Sequence, residues 1–331
     1  MNKKNWLTLF LACTIALTSF NSCKKSDDED STTDNGPTEW VKASAFDGDP
    51  RSAAAFFSIG DNGFITTGIL KTNERVKDTW VFDSKASTWT KRADFPGNAR
   101  NAAVGFSIDG VGYVGTGYDG TEALKDFYKF DVASNTWSPI APLPADAEAR
   151  YGAVAFSLGG FGYVGLGSTK ADKTLKDFYK YDPTANTWTA VNTIFENKRV
   201  NAFSFVIGNK AYVGGGFDNN AFPEDFYSFD GTKWEKLGNI KTDDIDVTRQ
   251  SASAFTVGQT GFVVGGRKSS ILNTVWRYNP SNDSWESKHQ AFQGSAREGA
   301  AAFSVNGKGY VATGANGSFK FDDNWVFTPV R

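Results

Sequence analysis

The sequence predicts an all-β protein, a six-bladed β-propeller closed by its own N-terminal strand. Three observations predict it. An arginine-headed segment recurs six times along the 331 residues. Each of the first five copies carries four strand signals separated by turn residues. The sixth copy lacks its last strand, and a matching strand stands unclaimed at the other end of the chain.

The recurrence comes first. Arg51, Arg100, Arg150, Arg199, Arg249 and Arg297 head the copies, at intervals of 49, 50, 49, 50 and 48 residues. The third residue after each is alanine (Ala54, Ala103, Ala153, Ala202, Ala252, Ala300), and the sixth is phenylalanine (Phe57, Phe106, Phe156, Phe205, Phe255, Phe303). The seventeenth is always glycine. A fixed period near fifty is the mark of a repeat architecture.

The strand signals follow. Each copy opens on two alternating runs, as in "RNAAVGFSIDGVGYVGTG" from Arg100 to Gly117, rich in glycine and β-formers. A third, aromatic run ends in an acidic turn and a tryptophan, as in "DFYKFDVASNTW". Four short strands, six times, is a propeller pattern. Alanine then suits the crowded axis, and the aromatic residues suit the wedges that widen between blades.

Closure comes last. The sixth copy stops at "DNWVFTPVR" without a terminal tryptophan, whereas Trp40 stands eleven residues before Arg51. Trp89 precedes Arg100, and Trp188 precedes Arg199, by the same eleven. The strand around Trp40 is therefore expected to complete the last blade and hide its open edge. Residues 39–331 make the propeller on this reading.

What precedes it reads as targeting. "MNKK" is a charged start, and "WLTLFLACTIALTSF" is an apolar run too short to span a bilayer comfortably. Ending at Cys23 and followed by "KKSDDED", it resembles a bacterial lipoprotein signal with the surface-export tether of Bacteroidetes-type lipoproteins. That resemblance implies a signal peptide over 1–22, lipid on Cys23, and a polar tether to residue 38. It implies an outer membrane lipoprotein, exposed at the surface or otherwise facing the periplasm, with a lipid anchor as its one contact with membrane. The chain's other cysteine, Cys13, would leave with the signal, so the folded domain holds no thiol chemistry. A formal charge of −2 without a basic stripe argues against nucleic acid as a partner.

The arginine-headed strand, the glycine closing the second strand and the Asp-x-aromatic…Trp ending are similar to kelch repeats, over residues 40–331. The family's double glycine survives only in "GGG" and "VGG". Galactose oxidase shares the resemblance, which would imply a copper site with histidine ligands and a cysteine-linked tyrosine. The domain has His289 alone and no cysteine, which excludes that chemistry and any Cys-His arrangement and leaves at most one histidine for a Ser-His-Asp arrangement. No cofactor and no metal are expected. Asp243, Asp244 and Asp246 crowd one loop, but no glycine or distal acid completes a Ca²⁺ site there.

Candidate sites come from the arginines and from what the repeats do not share. Six arginines are expected around one channel mouth, five with an aspartate at a fixed register (Asp78, Asp126, Asp177, Asp225, Asp323) and the fifth copy with Thr274. A group present in every copy favours a structural role. Arg150 beside Tyr151 and Arg297 beside Glu298 remain ligand-binding candidates. The loops between second and third strands differ from copy to copy and add Tyr118, Phe217, Phe222, Arg267 and Phe319, a rim suited to sugar or peptide. The leading functional reading is a monomeric propeller acting as a binding module for a glycan, peptide or envelope protein. The alternative is a sugar-processing enzyme of the sialic acid mutarotase type, with Glu298 the acid to test first.

Overall fold

A computed structural model describes residues 38–287 and 291–329. They form six four-stranded antiparallel sheets. Blade 1 is Ala55–Ile59, Asn62–Thr66, Thr79–Asp83 and Thr88–Arg92, and blades 2 to 5 repeat that order along the chain. Blade 6 takes Ala301–Val305, Lys308–Ala312 and Asn324–Pro329 from the C-terminal end. Its outermost strand is Thr38–Ala43, antiparallel to Asn324–Pro329, with Trp40 opposite Phe327. The expected closure is what the chain does. Trp40 is buried, edge-on to Phe292 at 4.8 Å and against Phe327 at 4.9 Å.

Between blades the packing follows one rule. The phenylalanine six after each arginine lies over the next blade's second strand, where a glycine makes room in five of the six blades and Ala211 stands in blade 4. A Cβ on Gly112 would sit 2.3 Å from the Phe57 ring, one on Gly162 2.2 Å from Phe106, and one on Gly309 2.1 Å from Phe255. Only hydrogen fits at that distance. The terminal tryptophans close the outer end of the same wedges. Trp89 packs on Phe82 and Phe46 in a cluster that includes Phe303 and Tyr310 of blade 6.

At the axis, two circles of backbone hydrogen bonds tie each blade to the next. In the inner circle, the second residue after each arginine donates its N–H to its counterpart in the preceding blade. Ala102 donates to Ala53, Gly152 to Ala102, Asn201 to Gly152, Ser251 to Asn201, Gly299 to Ser251 and Ala53 to Gly299, all at 2.8–2.9 Å. The outer circle runs from the fixed glycine to the next blade's arginine carbonyl, from Gly68→Arg100 round to Gly314→Arg51, at 2.7–2.9 Å. The inner circle needs left-handed backbone at all six positions, including Ala53, Ala102 and Ser251 at φ 50–53°. Such a conformation costs of order 1 kcal/mol at a non-glycine residue and persists only where surrounding structure imposes it. Here the closed circle imposes it.

Candidate functional site

The six arginines are not at the mouth. Each is 0–2% exposed, inside its blade beneath the inner circle. Nε donates to the carbonyl two residues back, and Nη1 to the carbonyl sixteen residues on, as in Arg100 to Asn98 (2.9 Å) and Thr116 (3.0 Å). The acceptor residue is left-handed in every copy, whether Thr67, Thr116, Leu166, Thr313 or the glycines Gly215 and Gly265. The first glycine of the double-glycine signature therefore marks a conformation that other residues also hold here. The guanidinium then grips the register aspartate. Arg51 bonds Asp78 at 2.5 and 2.7 Å, Arg150 bonds Asp177 at 2.8 and 2.8 Å, and Arg297 bonds Asp323 at 2.5 and 2.9 Å. An aromatic face covers several of these arginines, Phe95 lying 4.9 Å from Arg100 and Phe321 4.2 Å from Arg297.

Two candidates are corrected by this geometry. Arg150 and Arg297 cannot meet a ligand as surface groups, because both are buried and their donors are spent on carbonyls and aspartate. Their neighbours in sequence, Tyr151 and Glu298, do reach the surface.

The aspartates report the strength of the clasp. Burial pushes the Asp78, Asp177 and Asp323 carboxyls up, yet the hydrogen bond and charge of the paired arginine outweigh it, and each sits below the usual value of 3.8. At Asp225 burial is again opposed, by the Arg199 charge and the Tyr227 hydroxyl, with the same net direction.

Above this layer lies a rim. The residue after each arginine bridges to the residue after the fixed glycine: Ser52 to Ile69, Asn101 to Tyr118, Tyr151 to Ser168, Val200 to Phe217, Gln250 to Arg267, Glu298 to Ala315. No two of these six pairs are alike. They surround the mouth of an axial cavity of ≈ 180 Å³ walled by small residues such as Ala53, Ala103, Ala153 and Ala252. Tyr118, Tyr151, Phe217, Arg267 and Glu298 are thereby brought to one face.

Three sectors differ in chemistry. On blades 1 to 3, Arg75 donates to Asn101 (2.7 Å) and lies 5.1 Å over the Tyr118 ring, which meets Tyr151 at 5.7 Å. The Tyr151 hydroxyl donates to Asp172 at 2.8 Å. Blade 4 is apolar, with Phe217 against Phe222 at 5.1 Å. On blades 5 and 6, Arg267 donates to both oxygens of Glu298 (2.8 and 2.6 Å), and Lys320 donates to Ser52 (2.8 Å). Burial outweighs the nearby Glu298 charge and lowers the Lys320 pKa. Phe319 projects beside it, 57% exposed.

Arg75, Asn101, Asp172 and Lys320 escaped the sequence reading. Their only signal is membership of segments that vary between copies, which does not say which side chain turns inward. In the acidic loop, Asp246 Oδ1 accepts from Thr248 and Oδ2 from Lys268. Among the described residues no group of three His, Cys, Asp or Glu could hold a metal, and no helix is long and apolar enough to cross a membrane. His289 and Cys23 lie outside the described residues.

Comparison with known proteins agrees with the geometry. A family profile described as the KLHDC2/KLHL20/DRC7 Kelch-repeats domain matches residues 32–213 and 167–331. Kelch-like protein 25 of Xenopus tropicalis is 28% identical over 249 residues, 72% of this chain and 41% of that one. An F-box/kelch-repeat protein of Arabidopsis thaliana is 26% identical over 190 residues, 56% of this chain and 47% of its own length. The chain spans less than half the length of these relatives. The solved structure of YjhT superposes with a TM-score of 0.74 at 16% identity, covering 87% of this chain and 99% of that one, a likeness of fold alone.

Proposed function

The chain belongs to the kelch-repeat family, and from that premise we propose that it is a binding module of the cell envelope whose loop-face rim holds a glycan or a peptide segment of a partner protein. Kelch propellers generally mediate protein interactions, and the anchor expected at Cys23 is what would put this one at the outer membrane surface.

One observation carries the reading. The layer beneath the mouth is the same in six copies, while the rim pairs directly above it differ in all six. Symmetry at the backbone circles serves stability. Asymmetry at the rim serves no packing purpose that the other copies do not meet with different residues. The rim supplies tyrosine faces, an apolar patch and an ion pair around one concavity, the mixture that grips sugar rings or short peptides.

The test is a glycan and peptide array probed with residues 24–331 and with a Tyr118→Ala, Tyr151→Ala double variant of the same segment. Hits bound by the wild-type rim and lost in the variant, at unchanged melting temperature, are the expected result. Hits that survive the variant would move the site elsewhere. For the anchor, intact-mass analysis of the mature protein should show a diacylated Cys23, and Cys23→Ala should end detergent partitioning. An unmodified N-terminus would defeat the localisation.

A further inference from the structure

Blades 1 and 6 share a detail of the arginine clasp. Asp78 Oδ2 accepts from two donors at once, Arg51 Nη2 at 2.7 Å and Trp80 Nε1 at 2.6 Å. Asp323 Oδ2 does the same with Arg297 Nη2 at 2.9 Å and Trp325 Nε1 at 2.7 Å. Blade 5 keeps both donors at the same registers, Arg249 and Trp276, and replaces the aspartate by Thr274.

The replacement restores half of the acceptor. Thr274 Oγ1 accepts from Arg249 Nη1 at 2.9 Å, in the role of Oδ1. Nothing takes the role of Oδ2. Arg249 Nη2 has one long bond, 3.4 Å to the Asp246 carbonyl. The indole N–H of Trp276 has no hydrogen-bond partner among the described residues. The guanidinium is 2% exposed without a carboxylate against it, and burial pulls the Arg249 pKa down to about 10. The nearby carboxylate of Asp246 does not fill the gap, since Thr248 and Lys268 hold its two oxygens.

The gap is reachable from outside. Thr274 is exposed, and at the same register the side chains of Asp78, Asp126, Asp177 and Asp323 are 18, 38, 39 and 24% exposed, with Asp225, capped by Tyr227, the one buried at 3%. We propose that blade 5 carries a carboxylate-binding notch, in which a carboxylate from outside the propeller seats one oxygen between Arg249 Nη2 and Trp276 Nε1. The donor is a small organic acid or an acidic peptide side chain. A carboxylate is the group because this pair of donors holds one in blades 1 and 6, and Thr274 offers one acceptor oxygen where the aspartate offers two. The notch stands apart from the rim reading, as none of its three residues is a rim residue.

The experiment compares sodium acetate with sodium chloride at equal ionic strength, on the wild-type chain and on Thr274→Asp. Acetate is expected to raise the wild-type melting temperature above chloride and to shift the Trp276 Nε1–H resonance in a ¹H–¹⁵N spectrum. Thr274→Asp should melt higher than wild type without any addition, because it supplies the missing carboxylate, and should no longer respond to acetate. A parallel titration with N-acetyl-aspartate N-methylamide separates the sources: saturation at lower concentration than acetate marks a peptide side chain, and equal or weaker saturation marks a small acid. Equal effects of acetate and chloride, an acetate effect that persists in Thr274→Asp, or an unmoved Trp276 resonance would each overturn the notch. The resonance reads the wild-type chain, so the result stands even if Thr274→Asp folds poorly.

Discussion

Two layers of this propeller sit one residue apart in sequence and behave as opposites. At the arginines and the residues two places after them, six blades repeat one arrangement: a buried guanidinium, a left-handed turn, a backbone bond to the neighbour. At the residues between, Ser52, Asn101, Tyr151, Val200, Gln250 and Glu298, no side chain is repeated. The difference teaches where each kind of free energy resides. A ring must close, so every junction carries the same geometric demand and the same solution. On the proposed reading a ligand has no sixfold symmetry, so the rim groups are free to diverge.

The comparison breaks most visibly where a frame pair is deepest. Arg199 and Asp225 are 0 and 3% exposed, so Arg199→Ala strands a buried carboxylate and should cost about 3–5 kcal/mol. Trp40→Ala removes the buried ring that seats the closing strand, at about 3–5 kcal/mol, measured by chemical denaturation. Retention of full stability by either variant would separate the frame from the fold.

A middle effect follows from pH. The depressed carboxyls of Asp78, Asp177, Asp225 and Asp323 bind protons more readily unfolded than folded. Their stabilisation is complete above the unfolded value of 3.8 and is lost as pH falls through the lower folded values. Melting temperature should therefore hold on acidification to about pH 5 and then fall steeply. Asp225→Asn should flatten part of that fall.

The smallest effects belong to the rim. The Arg267–Glu298 pair is 42 and 22% exposed, and Glu298→Gln should cost about 0.2–1 kcal/mol. Phe217→Ala should likewise leave the melting temperature close to wild type while changing what the protein binds.

The sequence made the frame easier to read than the rim, for physical reasons. Period, alanine, phenylalanine and tryptophan positions recur because each wedge and the axis impose the same volume six times, and Trp40 betrays the closure by its spacing to Arg51. The left-handed residues were not legible. Gly152, Gly299 and Asn201 tolerate positive φ, but Ala53, Ala102 and Ser251 carry no local sign of it, since the conformation is imposed by neighbouring blades. Arginine burial was half legible. Repetition favoured scaffold, yet spacing alone could not show that Arg150 and Arg297 point inward while Tyr151 and Glu298 point out. Across the rim, Arg75 meets Tyr118 from 43 residues away, a contact that depends on the fold and on no motif.

The division between frame and rim is tested most directly by one thermal series: alanine at each of the six arginines and at Asn101, Tyr151, Val200, Gln250 and Glu298, melted side by side. The account predicts two separate groups. The arginine variants fall well below wild type, with Arg249→Ala the mildest because it orphans no carboxylate, and the rim variants stay near wild type. A rim variant that melts with the arginine group, or an arginine paired with aspartate whose loss leaves the melting temperature unchanged, would contradict it.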